Sequence, residues 1–140
     1  MYCLQAVVVT ESARAELLAS VEGARLVPLG YHLSLMPLPE TLPEAGEFRT
    51  VLAACSEHGA VAYVEAEYFG GVGTQSAQVW DRGETVLGPL HLAEDEPALA
   101  AGSPISQALR RLGVAKGDHF DEFDAVGFGR HRHTGDWLSS

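Results

Sequence analysis

The chain has 140 residues, 46% of them hydrophobic and 20% charged, a balance that fits one globular domain spanning 1–140 and argues against a disordered chain. Nine Lys and Arg stand against nineteen Asp and Glu, a formal net charge of −10. Such a charge argues against nucleic acid as a partner, because phosphates need a basic surface, and against an anionic membrane surface.

Two cysteines, Cys3 and Cys55, are too far apart for a CxxC metal site and too few for a disulfide framework. Each has apolar neighbours, as expected of reduced, buried thiols. No stretch approaches the roughly 18 apolar residues that cross a bilayer. Met1 to Thr10 hold no basic residue and no cleavage-type pattern, so no signal peptide is expected and a cytoplasmic location follows by default.

Leu4 to Val9, with Val7, Val8 and Val9 in a row, predict a buried strand. Thr10 is placed to cap a helix from Glu11, whose stripe is Ala13, Leu17 and Val21 with Leu18 widening it, and Gly23 is a natural stop. Short strands are expected near Ala24 to Val27 and at Tyr31 to Leu35. The segment 36–47 contains Pro37, Pro39 and Pro43 and is expected to be an irregular connection. Phe48, Val51, Leu52 and Cys55 then fall at i, i+3, i+4 and i+7 on one helix face, ending near His58 and Gly59.

Ala60 to Phe69 and Thr74 to Trp80 predict an antiparallel hairpin around the loop 70–73. In that register Glu67 faces Ser76, Glu65 faces Gln78, and Tyr63 faces Trp80. Asp81-Arg82-Gly83 turns the chain into a further strand, Thr85 to Leu90, completing a meander. Ala93 to Gly102 is expected to be a loop with at most one helical turn. Ser103 and Pro104 are an N-cap and first-turn proline for a helix with the stripe Ile105, Ala108, Leu109 and Leu112, stopped at Gly113. Ala125 to Phe128 is expected as a last short strand, and 130–140 as a polar C-terminal segment apart from Trp137 and Leu138. The fold class expected is α+β, an antiparallel meander sheet with two or three amphipathic helices packed on one face.

Three constellations bear chemistry-capable groups. Glu65 and Glu67 share one strand face, roughly 7 Å apart at about 3.3 Å per residue, beside the glycine-rich turn and Gln75. A carboxylate pair can hold a hard cation or divide acid and base roles, and otherwise is a solvated strand face. No P-loop or GxGxxG pattern follows the strand, so nucleotide binding is not expected. Arg130, His131, Arg132 and His133 place two imidazoles on one face if the chain is extended, a metal-compatible but nonspecific arrangement, with the densest positive charge of the chain around them. Asp118, Asp121 and Asp124 lack the EF-hand glycine and closing glutamate, so they are expected to face outward from a turn whose Phe120 and Phe123 point in. No GxSxG elbow or Cys–His motif is present.

The blocks EYFGGVGTQ, at Glu67 to Gln75, and PISQALRRLGV through FDAVGFGRHR, between Pro104 and Arg132, resemble a pattern of small bacterial proteins of unassigned function. The resemblance covers about half of the chain, all in its second half, and implies no catalytic residues. In type, an acidic single domain without a catalytic motif is similar to immunity proteins that neutralise a cognate toxin.

The expected function is therefore a non-enzymatic acidic binding protein, an inhibitor or immunity-type protein with a basic protein partner and no cofactor. Its candidate binding residues are Glu65, Glu67, Gln75, Arg130, His131, Arg132 and His133. Two alternatives stand beside it. One is a small metal-assisted hydrolase using Glu65 and Glu67 with His131 and His133. The other is a homodimeric structural or regulatory subunit, paired through a strand edge or the Tyr63/Trp80 face.

Overall fold

The computed structural model describes residues 2–20, 25–29, 31–37, 45–69, 72–93, 103–115, 117–118, 122–128, 134 and 137. Its strands are β1 (Tyr2–Thr10), β2 (Val27–Pro28), β3 (Leu33–Pro37), β4 (Val61–Phe69), β5 (Val72–Asp81) and β6 (Glu84–Leu92). Its helices are α1 (Glu11–Ser20), α2 (Ala45–Cys55), α3 (Pro104–Arg111) and α4 (Glu122–Ala125). The strands form one antiparallel six-stranded sheet in the order β2-β3-β1-β4-β5-β6. The class is α+β, and β4-β5-β6 is the expected meander. No described helix is long and apolar enough to cross a membrane.

The helices divide between the two faces of the sheet rather than sharing one. On one side, α1 and α2 cover Val7, Val9, Val61, Tyr63 and Trp80. On the other, α3 packs on β4, β5 and β6, in a core that holds Leu4, Ala6, Val8, Val64, Ala66, Ala77 and Val79 together with Val126, Phe128 and Trp137. The cause lies in β1. A strand with one wet face alternates apolar and polar residues, whereas Ala6 to Val9 are all fully buried, two toward each layer. Tyr63 and Trp80, weighed above as a dimer surface, belong to this internal core at 8% and 4% exposure.

Several boundaries differ from expectation for identifiable reasons. β3 begins at Leu33 because Tyr31 and His32 adopt left-handed φ values of 62° and 60° and form a turn. β3 continues through Met36 to Pro37, whose missing N–H is tolerated at the end of the β1 ladder opposite Ala6. α2 already starts at Ala45, so the irregular connection is narrower than 36–47, and 38–44 lie outside the described residues. So do Gly23, 94–102, and Phe120 with Asp121. The hydroxyl of Thr10, the expected cap, donates to the Ala60 carbonyl (3.0 Å) and ties the β1–α1 corner to the start of β4.

The β4–β5 hairpin is tighter than the four-residue loop predicted. Phe69 pairs with Val72, so Glu67 faces Thr74 and Glu65 faces Ser76. The slip is two residues, an even number, and therefore leaves every side chain on its expected face. The next turn is closed by Arg82 and Gly83, both left-handed at φ 55° and 81°, as a type I′ turn requires. Ser56 pins it to α2: its Oγ accepts from the Gly83 N–H (2.9 Å) and its carbonyl from the Arg82 N–H (2.9 Å). β6 is the outer edge. Two register irregularities against β5 and Pro89 interrupt its outward ladder, features that discourage strand-to-strand pairing between molecules.

α3 forms as its sequence predicts. Ser103 caps it, its side chain accepting from the Ser106 N–H (3.2 Å), and Pro104 opens the first turn. Ile105, Ala108, Leu109 and Leu112 are all buried. The strand expected at Ala125 to Phe128 is instead the end of α4 and its exit turn, with the Val126 N–H bonded to the Glu122 carbonyl (3.2 Å) and Gly127 at φ 83°. The carboxylate of Glu122 reaches Arg110 on α3 (3.4 Å), which holds this turn against the helix. β1 needs no further strand at its free end, because the Gln5 N–H donates to Thr134 Oγ1 (3.0 Å) and the Thr134 hydroxyl donates to the Cys3 carbonyl (3.3 Å).

Candidate functional site

Among the described residues, helices cover the α1/α2 side of the sheet at one end only. Beyond Val7 and Tyr63 the side chains alternating toward this face become polar: Gln5 on β1, Glu65 and Glu67 on β4, Thr74 and Ser76 on β5, and His91 on β6. They line, with Cys3, a shallow pocket of about 100 Å³. The cross-strand pairs are Gln5–Glu65, Glu65–Ser76, Cys3–Glu67, Glu67–Thr74 and Ser76–His91. Side chains directly opposed in such a ladder are in contact range, about 5 Å between Cβ atoms.

Glu65 is half-buried and held in place. Its Oε1 accepts from the Tyr63 hydroxyl and from Gln5 Nε2 (3.3 Å). Tyr63 is a dependable donor, since burial, followed by its bond to the Glu65 carboxylate, pushes its ionisation well above the usual tyrosine range. Glu67, two residues on, is exposed at the pocket mouth. At the far wall Ser76 Oγ and His91 Nδ1 lie 2.7 Å apart. The pocket therefore presents one oriented carboxylate, one exposed carboxylate, and a hydroxyl–imidazole pair on a rigid sheet. That arrangement can receive a cationic group.

The other tyrosine on this scaffold, Tyr2, is also shifted well upward, by burial first and then by Tyr68 and Cys3, and its hydroxyl donates to the Phe128 carbonyl (2.8 Å). Both phenols stay neutral in the fold while an unfolded tyrosine ionises near about pH 10. Their contribution is thus fully present below about pH 10 and is lost as the pH rises beyond it, at up to about 1.4 kcal/mol per unit for each tyrosine. Denaturant unfolding followed from about pH 9 to about pH 11 is expected to show this decline. Tyr63→Phe should reduce its slope to the Tyr2 share.

Of the residues picked from sequence, Glu65 and Glu67 are brought together. Gln75 is not with them. It points to the α3 side, is 7% exposed, and its Oε1 accepts the Ile105 N–H (3.1 Å) while its Nε2 donates to the Tyr68 hydroxyl. Alternation along β5 explains this, since Gln75 is odd where Thr74 and Ser76 are even. Its role is to hold the start of α3. Arg130, His131, Arg132 and His133 lie outside the described residues, as does any approach of theirs to the glutamates. Among the described residues no three His, Cys, Asp or Glu side chains form a metal-binding group. Cys55 is fully buried outside any disulfide, and burial raises its thiol above the ordinary range; Cys3, also outside any disulfide, is half-buried at the pocket. Sequence reading passed over His91 and Gln5. His91 carries no motif, and only the β5–β6 register, shifted by its irregularities, sets it opposite Ser76.

No protein-family model, no curated protein and no solved structure matches this chain.

Proposed function

We propose that this chain is a non-enzymatic binding protein of the inhibitor or immunity type, and that the polar end of the α1/α2-side sheet face receives a basic protein partner. The observation that carries this reading is the Glu65 carboxylate, fixed by Tyr63 and Gln5 beside exposed Glu67 in a pocket on the sheet. An oriented carboxylate loses little freedom when a guanidinium or ammonium group docks on it. The net charge of −10 supports the same reading, since it steers fast encounter with a basic protein.

The test is affinity purification from the source cells with the wild-type chain and with the double variant Glu65→Lys/Glu67→Lys. The wild type is expected to retain a basic protein whose binding weakens with salt. The double variant, folded by circular dichroism, should bind that protein about a hundredfold more weakly, the combined effect of reversing two interface charges. Equal retention by both chains, or no specific protein retained by the wild type, overturns the reading.

A further inference from the structure

Four polar side chains lie in one row across the glutamate pocket. Gln5 on β1 pairs with Glu65 on β4, Glu65 with Ser76 on β5, and Ser76 with His91 on β6. Successive members are in contact range, about 5 Å between Cβ atoms, while Glu65 and His91 stand two strand spacings apart, roughly 10 Å. Both ends of the row are joined by hydrogen bonds. Gln5 Nε2 donates to Glu65 Oε1 (3.3 Å), and Ser76 Oγ lies 2.7 Å from His91 Nδ1. The Ser76 hydroxyl stands between the imidazole and the carboxylate, and it can turn its one hydrogen to either side.

The direction of that hydrogen follows the charge of His91. In the neutral imidazole with its hydrogen on Nε2, Nδ1 accepts from Ser76. A protonated imidazole carries hydrogen on both nitrogens, so Nδ1 donates to Ser76 Oγ and the hydroxyl hydrogen is turned away from it. Glu65 is the acceptor across the strand. Its Oε1 already accepts from the Tyr63 hydroxyl and from Gln5, which leaves Oε2 for Ser76. That oxygen is also the one open to a docking cation.

We propose that the row Glu65–Ser76–His91 is a proton-operated gate on the glutamate pocket. Protonation of His91 turns the Ser76 hydroxyl onto Glu65 and puts a positive charge on the pocket wall, and the pocket then gives up its cationic guest. This control rests on the reading of the pocket as the receptor for a basic partner. Among the described residues lining the pocket, His91 alone can become positive. The other titratable groups on this face beside it are Cys3, Tyr63, Glu65 and Glu67. Asp81 and Glu84 pair with each other at the far end of the β5–β6 hairpin, and α3, with Arg110 and Arg111, packs on β6 from the opposite face.

Two measurements on the ¹³C,¹⁵N-labelled full chain test this. The first needs no ligand. Between about pH 5 and about pH 8, where imidazoles titrate, the Glu65 side-chain carboxylate resonance is expected to move with the midpoint of His91. In Ser76→Ala that movement should vanish while His91 still titrates. The second is titration with N-acetyl-L-arginine amide, a single guanidinium. The wild type is expected to bind it about tenfold more tightly at about pH 8 than at about pH 5, the worth of one charge-assisted hydrogen bond. His91→Gln, at an exposed position, should bind it equally at both. A Glu65 resonance indifferent to His91, or one that follows it unchanged in Ser76→Ala, overturns the gate. Equal wild-type binding at the two pH values, or a pH dependence kept by His91→Gln, overturns the gate and leaves the partner reading standing. No binding of the probe at either pH overturns that reading and the gate with it.

Discussion

Trp137→Ala is expected to destabilise the protein by about 3–5 kcal/mol, as removal of a fully buried indole does. Trp137 is 1% exposed and packs edge-on against Phe128, ring centroids 6.4 Å apart at 79°. Phe128 is itself fully buried, and its carbonyl takes the Tyr2 hydroxyl at the first residue of β1. The pair therefore closes the α3-side core where the chain's end meets its beginning. Against a total stability of about 5–15 kcal/mol, the loss is a large share. Thermal unfolding should show the midpoint falling by roughly 10–20 °C for a domain of this size. Leu18→Ala, at an α1 position 43% exposed, serves as the contrast and should change stability by less than about 1 kcal/mol. A Trp137→Ala midpoint no lower than that of Leu18→Ala would show that this end of the chain is not part of the core.

Gly73→Ala is the second large effect expected, a loss of at least about 2 kcal/mol, from overpacking against backbone. A Cβ at this position would lie 2.8 Å from Tyr68 Cα and nearer still to the Glu67 carbonyl oxygen and the Tyr68 ring. Backbone cannot retreat as a flexible side-chain end can, so the hairpin itself would have to part between Tyr68 and its partner Gly73. Because Glu67 lies on the displaced stretch, the glutamate pocket should open as well. Equilibrium denaturation gives the stability change, and the amide shifts of Glu65 and Glu67 report the pocket. Unchanged stability would mean that the two strands are not in the observed register. This glycine is required by close approach of backbone rather than by an anion, which is the other use a glycine-rich turn suggests.

The candidate site was partly legible in the sequence. Strict alternation along Glu65-Ala66-Glu67 put both carboxylates on one face, and that survived a register error because the slip was even. Gln75 was misplaced for the same kind of reason. Proximity to the glycine-rich turn suggested a shared site, while parity along β5 sends it to the opposite face. His91 was out of reach of pattern reading, because irregular pairing between β5 and β6 breaks the count of two that would locate it.

The sequence by itself determined the elements whose signals are local. The Ser103–Pro104 start of α3 and its apolar stripe, the Asp81-Arg82-Gly83 turn and the β4–β5 hairpin follow from capping, period and turn chemistry within a few residues. It also determined the acidic charge and the shared face of Glu65 and Glu67. Tertiary structure alone decided which layer each helix covers, that Trp137 belongs to the core, and that the polar side chains of one sheet face gather at its end away from α1 and α2. Those outcomes depend on pairings between distant segments, β1 with both β3 and β4 above all. The −10 charge read at the outset is uniform only as a sum; the fold gives it a place, by holding one glutamate rigid and leaving its neighbour open beside it.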